Sequence, residues 1–299
     1  MTNTLEKKHA TIKGVKMAYH ESGSGFPIVF AHGNPTSSHL WRDVLPHLSG
    51  LGRLIACDMP GMGDSGPLPG PIGPQSYMYE EMRDYVFALW EHLGVTDNVI
   101  FIGHEWGAVL AFDWASQHPE AVKGIAYMEA LLRVFTWGHD FPPDYTSVFK
   151  AFRSPKGEEI VLERNTFIEI LHSVTPGLTE ADKELYGRPY LEPGESRRPQ
   201  LSLCRSIPVT GEGPDSVEKI FARFGAYLEK SQVPKLLIVG DPGELERSRE
   251  PGLTFARTLP NQLEFGVEGE HFIPEDDPHG VGKAVYDFVR LIQSGTAGV

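Results

Sequence analysis

Short apolar runs alternate along this chain with longer stretches in which apolar positions recur every three or four residues. The runs Pro27–Ala31, Arg53–Cys57, Val99–Ile102, Gly124–Met128, Lys235–Val239 and Gln262–Val267 are of strand length. Tyr79–Leu93 places Met82, Tyr85, Val86, Leu89, Trp90 and Leu93 at helical spacing and stops at Gly94, a residue suited to ending a helix. Helical patches also run from about His39 to Leu48 and from Ala108 to about His118, and the C-terminal one carries Val281, Ala284, Val285, Phe288, Val289 and Ile292 on one side. Near the N-terminus, Thr11–Tyr19 alternates around a glycine as a β-hairpin does. Strands that alternate with helices and are apolar throughout predict an α/β fold with a mainly parallel sheet covered on both faces.

Between Leu131 and about Ser231 the pattern changes. Prolines from Pro142 to Pro214 punctuate short helical patches, one of them from about Glu158 to Leu171, and no clear strand occurs. The expected organisation is a core domain of residues 1–130 and 232–299 with a helical cap, 131–231, inserted after one of its strands.

The 299 residues are 40% apolar and 22% charged, ordinary for a globular protein. A net charge of −13 argues against nucleic acid or an anionic membrane as partner. No apolar run approaches the roughly 20 residues of a membrane span, and Met1–Gly14 has no apolar core of a signal peptide, so a cytoplasmic location is expected. Cys57 and Cys204, far apart, read as free buried thiols. A monomer or small homo-oligomer is expected, and internal repeats are absent.

Several motifs lead nowhere. Gly61–Gly66 matches a G-x-G-x-x-G dinucleotide signature, but Pro67, Pro69, Pro71 and Pro74 follow where a phosphate-binding helix should begin, so it is read as a loop. His104-Glu105 opens a zinc motif whose second histidine is replaced by Ala108, and no metal is expected. Arg197-Arg198 reads as a solvated or ion-paired surface pair.

Val99–Gly107 is different. A buried strand runs into Gly103-His104-Glu105-Trp106-Gly107, and a helix follows at once. This is the strand, sharp turn and helix of an α/β-hydrolase nucleophile turn, with glycines where strand and helix come too close for side chains. Glu105 stands at the nucleophile position. A carboxylate nucleophile needs a histidine to activate water and an acid to orient it. His271, between the last strand and the last helix, fits the chain order of this fold. The acid could be Glu129, which ends one strand, or Asp241 or Glu244 after the next.

Four segments carry a resemblance that covers nearly the whole chain: His32–Ser38, Asp58–Ser65, Ala126–Ala130 and Gly269–Ile273, with Glu195–Pro199 in the cap. Together they resemble haloalkane dehalogenases. The resemblance implies an α/β-hydrolase core with a helical cap, a pocket between them, no cofactor, and a small apolar halogenated substrate cleaved with water to release halide. It assigns the acid to Glu129 and the halide to Asn34 and Trp106. One departure stands out, since the family's nucleophile is Asp and this chain has Glu105. An extra methylene moves the oxygen by ~1 Å, a displacement that can cost roughly 10²-fold in rate. Three readings stay open: a shifted nucleophile; a general base in other chemistry, such as that of the coelenterazine-oxidising luciferases on the same scaffold; or a weakened relative that only binds small apolar ligands.

Overall fold

The computed structural model describes residues 5–140, 143–243 and 250–295. Eight strands form one sheet in the order β1-β2-β4-β3-β5-β6-β7-β8. β1 (Lys8–Ile12) and β2 (Val15–Gly23) are the expected hairpin. They join through Lys13 and Gly14, both at positive φ, the conformation that a two-residue turn requires. β2 runs antiparallel to β4 (Arg53–Cys57). From there β3 (Pro27–Ala31), β5 (Val99–His104), β6 (Val122–Met128), β7 (Lys235–Pro242) and β8 (Gln262–Gly269) are parallel.

The apolar strands divide their side chains between two cores. Val29, Phe101, Ile125, Tyr127 and Leu237 point into one, and their neighbours Phe30, Ile100, Ile102, Ala126 and Leu236 into the other. Because both faces are covered, alternation of direction demands apolar residues at every position. The first face is packed by α1 (Tyr79–His92) and α2 (Trp106–Gln117). On the second lie the short 3₁₀ turns Ser38–Trp41 and Leu45–Leu48 and the C-terminal helix, here α10 (Pro278–Gln293).

After β6 the chain leaves the sheet. Before β7 come α3 (Pro143–Arg153), a π-helical turn at Glu158–Glu163, α4 (Thr166–Val174), α5 (Glu180–Gly187), α6 (Arg198–Ser206) and α7 (Asp215–Leu228), and no sheet strand among the described residues. Two differences from the sequence pattern have local causes. The helix expected over Glu158–Leu171 is split, because Asn165 adopts the left-handed conformation (φ 59°) between the π turn and α4. Arg197 and Arg198, expected as a solvated or ion-paired surface pair, are buried. Arg198 is ion-paired with Glu158 and Glu195, and Arg197 donates to the carbonyls of Tyr190, Leu162, Glu163 and Leu191, fastening these segments to one another. The last helix of this segment, α7, lies against α2, with the rings of Phe112 and Phe224 5.6 Å apart. Two further pieces complete the fold, α8 (Glu250–Ala256) and the single turn α9 (Ile273–Asp276). Cys57 and Cys204 are free and buried, and among the described residues no helix is long and apolar enough to cross a membrane.

Candidate active site

Parallel strands all end on the same side of a sheet, so the residues just beyond them meet there whatever their distance in sequence. Asn34 follows β3, Glu105 follows β5, Glu129 follows β6 and His271 follows β8.

The turn at Glu105 is tight. A Cβ on Gly107 would lie 1.9 Å from the carbonyl oxygen of Ala31, and one on Gly103 would lie 2.4 Å from Cα of Ala108. Glycine at both positions lets α2 start directly against β3 and β5. Glu105 itself sits at φ 52°, and Glu129 at φ 48°. Positive φ is unfavourable for residues with a side chain and concentrates where function requires it. Here it turns two carboxylates sharply out of the ends of two neighbouring strands.

Oε2 of Glu105 accepts two backbone hydrogen bonds, from the N–H of Asn34 at 2.9 Å and of Trp106 at 2.7 Å. The second comes from the N-terminus of α2, where unpaired amides favour a negative charge. Gly33 makes room for this longer side chain, since a Cβ there would meet Oε2 at 2.3 Å. His271 lies 3.1 Å from Glu129, Nδ1 to Oε2, and the Glu129 side chain is fully buried. The main-chain carbonyl of His271 accepts a hydrogen bond from Nε2 of His104 at 2.7 Å. His104 is held neutral, because burial and the neighbouring His271 push its pKa well below the usual histidine value.

Two polar side chains beside the carboxylate stand out. Trp106 Nε1 is buried and has no hydrogen-bond partner, and a buried unsatisfied donor is costly unless a ligand satisfies it. The indole is fixed by stacking on Tyr79, centroids 5.0 Å apart, and by the edge of Phe221. Asn34 donates one Nδ2–H to the main-chain carbonyl of Gln200 at 3.0 Å, and the amide has a second.

Asn34, Glu105, Trp106 and His271 all line one cavity of about 350 Å³, small-ligand size. Its other walls are largely apolar: Leu131 and Phe272 from the core side, Phe149 and Phe152 of α3, Phe167 and Ile170 of α4. Of the three acids compatible with the sequence, Glu129 contacts His271. Asp241 is exposed on the end of β7, and Glu244 lies outside the described residues. Sequence reasoning missed His104 and the aromatic wall. The wall had a faint signal in the three-residue spacing of Phe149 and Phe152, but nothing marked which way that face would turn. Burial drives the thiol of Cys204, also on the wall, up to about 12.

The alpha/beta hydrolase fold family matches residues 27–278. A haloalkane dehalogenase of Sphingobium indicum is 50% identical over 293 residues, covering 96% of this chain and 96% of its own length. A coelenterazine h 2-monooxygenase of Renilla reniformis is 36% identical over 269 residues, covering 89% and 84% respectively. The crystal structure of the haloalkane dehalogenase DbeA from Bradyrhizobium elkani superposes with a TM-score of 0.88 at 34% identity, over 97% of this chain and 99% of that one.

Proposed function

This chain belongs to the haloalkane dehalogenases of the alpha/beta hydrolase fold family, and on that premise we propose that it hydrolyses carbon–halogen bonds of small apolar molecules with Glu105 as nucleophile. The observation that carries the reading is the buried, unpartnered indole N–H of Trp106 beside a carboxylate already seated on two amides.

In the first step an oxygen of Glu105 attacks the carbon bearing the halogen. The carbon–oxygen bond forms as the carbon–halogen bond breaks, and the halide departs with the bonding electrons toward Trp106 Nε1–H and Asn34 Nδ2–H. Apolar walls leave the carboxylate poorly solvated, which raises its reactivity, and leave the halide few other places to go. The product is a glutamyl ester. In the second step His271 takes a proton from water, and the hydroxide adds to the ester carbonyl. The tetrahedral oxyanion is stabilised by the N–H groups of Asn34 and Trp106, the pair that hold Oε2 in the resting site. Collapse expels the alcohol, with a proton returned from His271. Overall R–X and water give R–OH, halide and a proton. Glu129 keeps Nδ1 of His271 protonated, so that Nε2 is the base, and stabilises the imidazolium. Residues 131–231 serve as the cap that closes the cavity.

Oxygenase-like and binding-only readings are not favoured. The monooxygenase shares less of its sequence with this chain than the dehalogenase does, and a binder of apolar molecules has no use for a histidine–carboxylate pair next to a held carboxylate. The test is halide release from brominated and chlorinated alkanes. Purified protein should release halide in multiple turnovers. The variant His271→Phe should release about one equivalent and carry the alkyl group on Glu105 in a mass spectrum. Binding without halide release by the parent would sink the proposal, and repeated turnover by the variant would remove His271 from the mechanism.

A further inference from the structure

The loop that carries His271 is tied to the cap by a buried ionic cluster. Arg42, at the end of the Ser38–Trp41 turn, donates to both carboxylate oxygens of Glu275 on α9, at 2.5 and 2.7 Å. Its Nε lies 3.3 Å from Asp182 of α5, which His39 also contacts at 2.8 Å. Asp182 is further held by the capping box it forms with Thr179. Tyr186, one turn along α5, donates its hydroxyl to Glu275. The side chains of Arg42, His39, Asp182 and Glu275 are all less than a tenth exposed. Glu275 stands four residues after His271 in a loop closed by a bond from the Glu270 N–H to Asp276 at 2.9 Å.

Burying these charges is costly before their attraction is counted, and apolar packing of the same volume commonly stabilises a fold as well. What the bidentate arginine and the tyrosine add is direction, because each restrains where Glu275 can be. Resting on the proposed hydrolysis, we propose that Arg42, Asp182 and Tyr186 are positioning residues that hold the His271 loop in register with cap helix α5. A correctly seated cap thereby sets the histidine to take the proton from water, while the alkylation step, which uses Glu105, does not depend on it.

The variants Tyr186→Phe, which loses one hydroxyl, and Glu275→Gln, which loses the charge at constant size, separate the steps. The halide burst should keep the parent's rate and amplitude. Turnover should fall about 10- to 100-fold in Glu275→Gln, the scale of a ~1 Å misplacement, and less in Tyr186→Phe, with alkylated Glu105 accumulating in both. The imidazole resonances of His271 should shift in both variants, a readout that needs no turnover. Burst and turnover falling in equal proportion would overturn the clamp, as would unmoved His271 resonances. A parent protein that releases no halide would overturn the hydrolysis itself, and the resonances would still decide the clamp.

Discussion

Glu105 has one methylene more than the aspartate that the resemblance leads one to expect, yet its carboxylate reaches the amides of Asn34 and Trp106 at hydrogen-bond distance. On the proposed mechanism, the extra length moves the attacking oxygen by ~1 Å from where an aspartate would hold it. Shortening the side chain by Glu105→Asp should raise initial rates of halide release from short bromoalkanes by about 10²-fold. Glu105→Gln, equal in length and uncharged, should show neither burst nor turnover. An aspartate variant no faster than the parent would mean that the pocket is built around glutamate. The orphan indole N–H makes a second prediction at this scale. Bromide and chloride should quench the fluorescence of the parent, and Trp106→Leu should lose most of that response. Quenching that survives in the variant would remove Trp106 from the halide site.

At the scale of elements, the site depends on how closely α2 meets β3 and β5. A methyl group on Gly107 has nowhere to go, since backbone oxygen lies 1.9 Å from where it would sit and backbone atoms cannot swing aside as a side-chain tip can. The helix would have to lift from the sheet, carrying its N-terminal amides away from Glu105. Gly107→Ala should therefore cost roughly 3 kcal/mol or more of stability, the upper range for overpacking, and impair the halide burst as well. Urea unfolding beside a burst assay checks both. A variant of unchanged stability would contradict the close approach.

For the molecule as a whole, buried neutral histidines tie stability to pH. His32 is fully enclosed, donating from Nδ1 to the Gly33 carbonyl and accepting at Nε2 from the Met59 N–H. Burial lowers its pKa from 6.5 to about 4. Because the folded value is depressed, the unfolded chain binds the extra proton first. His32 therefore contributes stability above pH 6.5 that is lost as the pH falls toward 4, on the order of 3 kcal/mol. Glu275 opposes this, since burial raises its pKa despite Arg42, so acidification favours the folded form there. Comparison of the parent with His32→Gln, whose amide can still donate and accept, isolates the histidine. Urea midpoints of the parent should fall more steeply between pH 6.5 and 4 than those of the variant, and parallel curves would refute the assignment.

The sequence by itself determined the parts that depend on local periodicity and on backbone sterics. Continuous apolar runs required strands buried on both faces, as Ile100, Phe101 and Ile102 are. The Gly103–Gly107 spacing required a sharp turn with one residue exposed to the site, and the order of Glu105, Glu129 and His271 matched the order in which parallel strands deliver them. Local pattern could not choose the acid that meets His271, because Glu129 and Asp241 both stand at strand ends and nothing local says which side chain turns inward; the resemblance pointed to Glu129, and the tertiary structure sets it 3.1 Å from the imidazole. The same holds for Arg197, whose guanidinium meets the carbonyls of Leu162 and Glu163 as well as nearer ones, and for Arg198, which meets the Glu158 carboxylate. It holds most of all for the Arg42, Asp182, Tyr186 and Glu275 cluster, with members separated by as many as 233 residues in sequence. Charges at such distances show no period, and their pairing exists only once the Ser38–Trp41 turn, α5 and α9 have packed together.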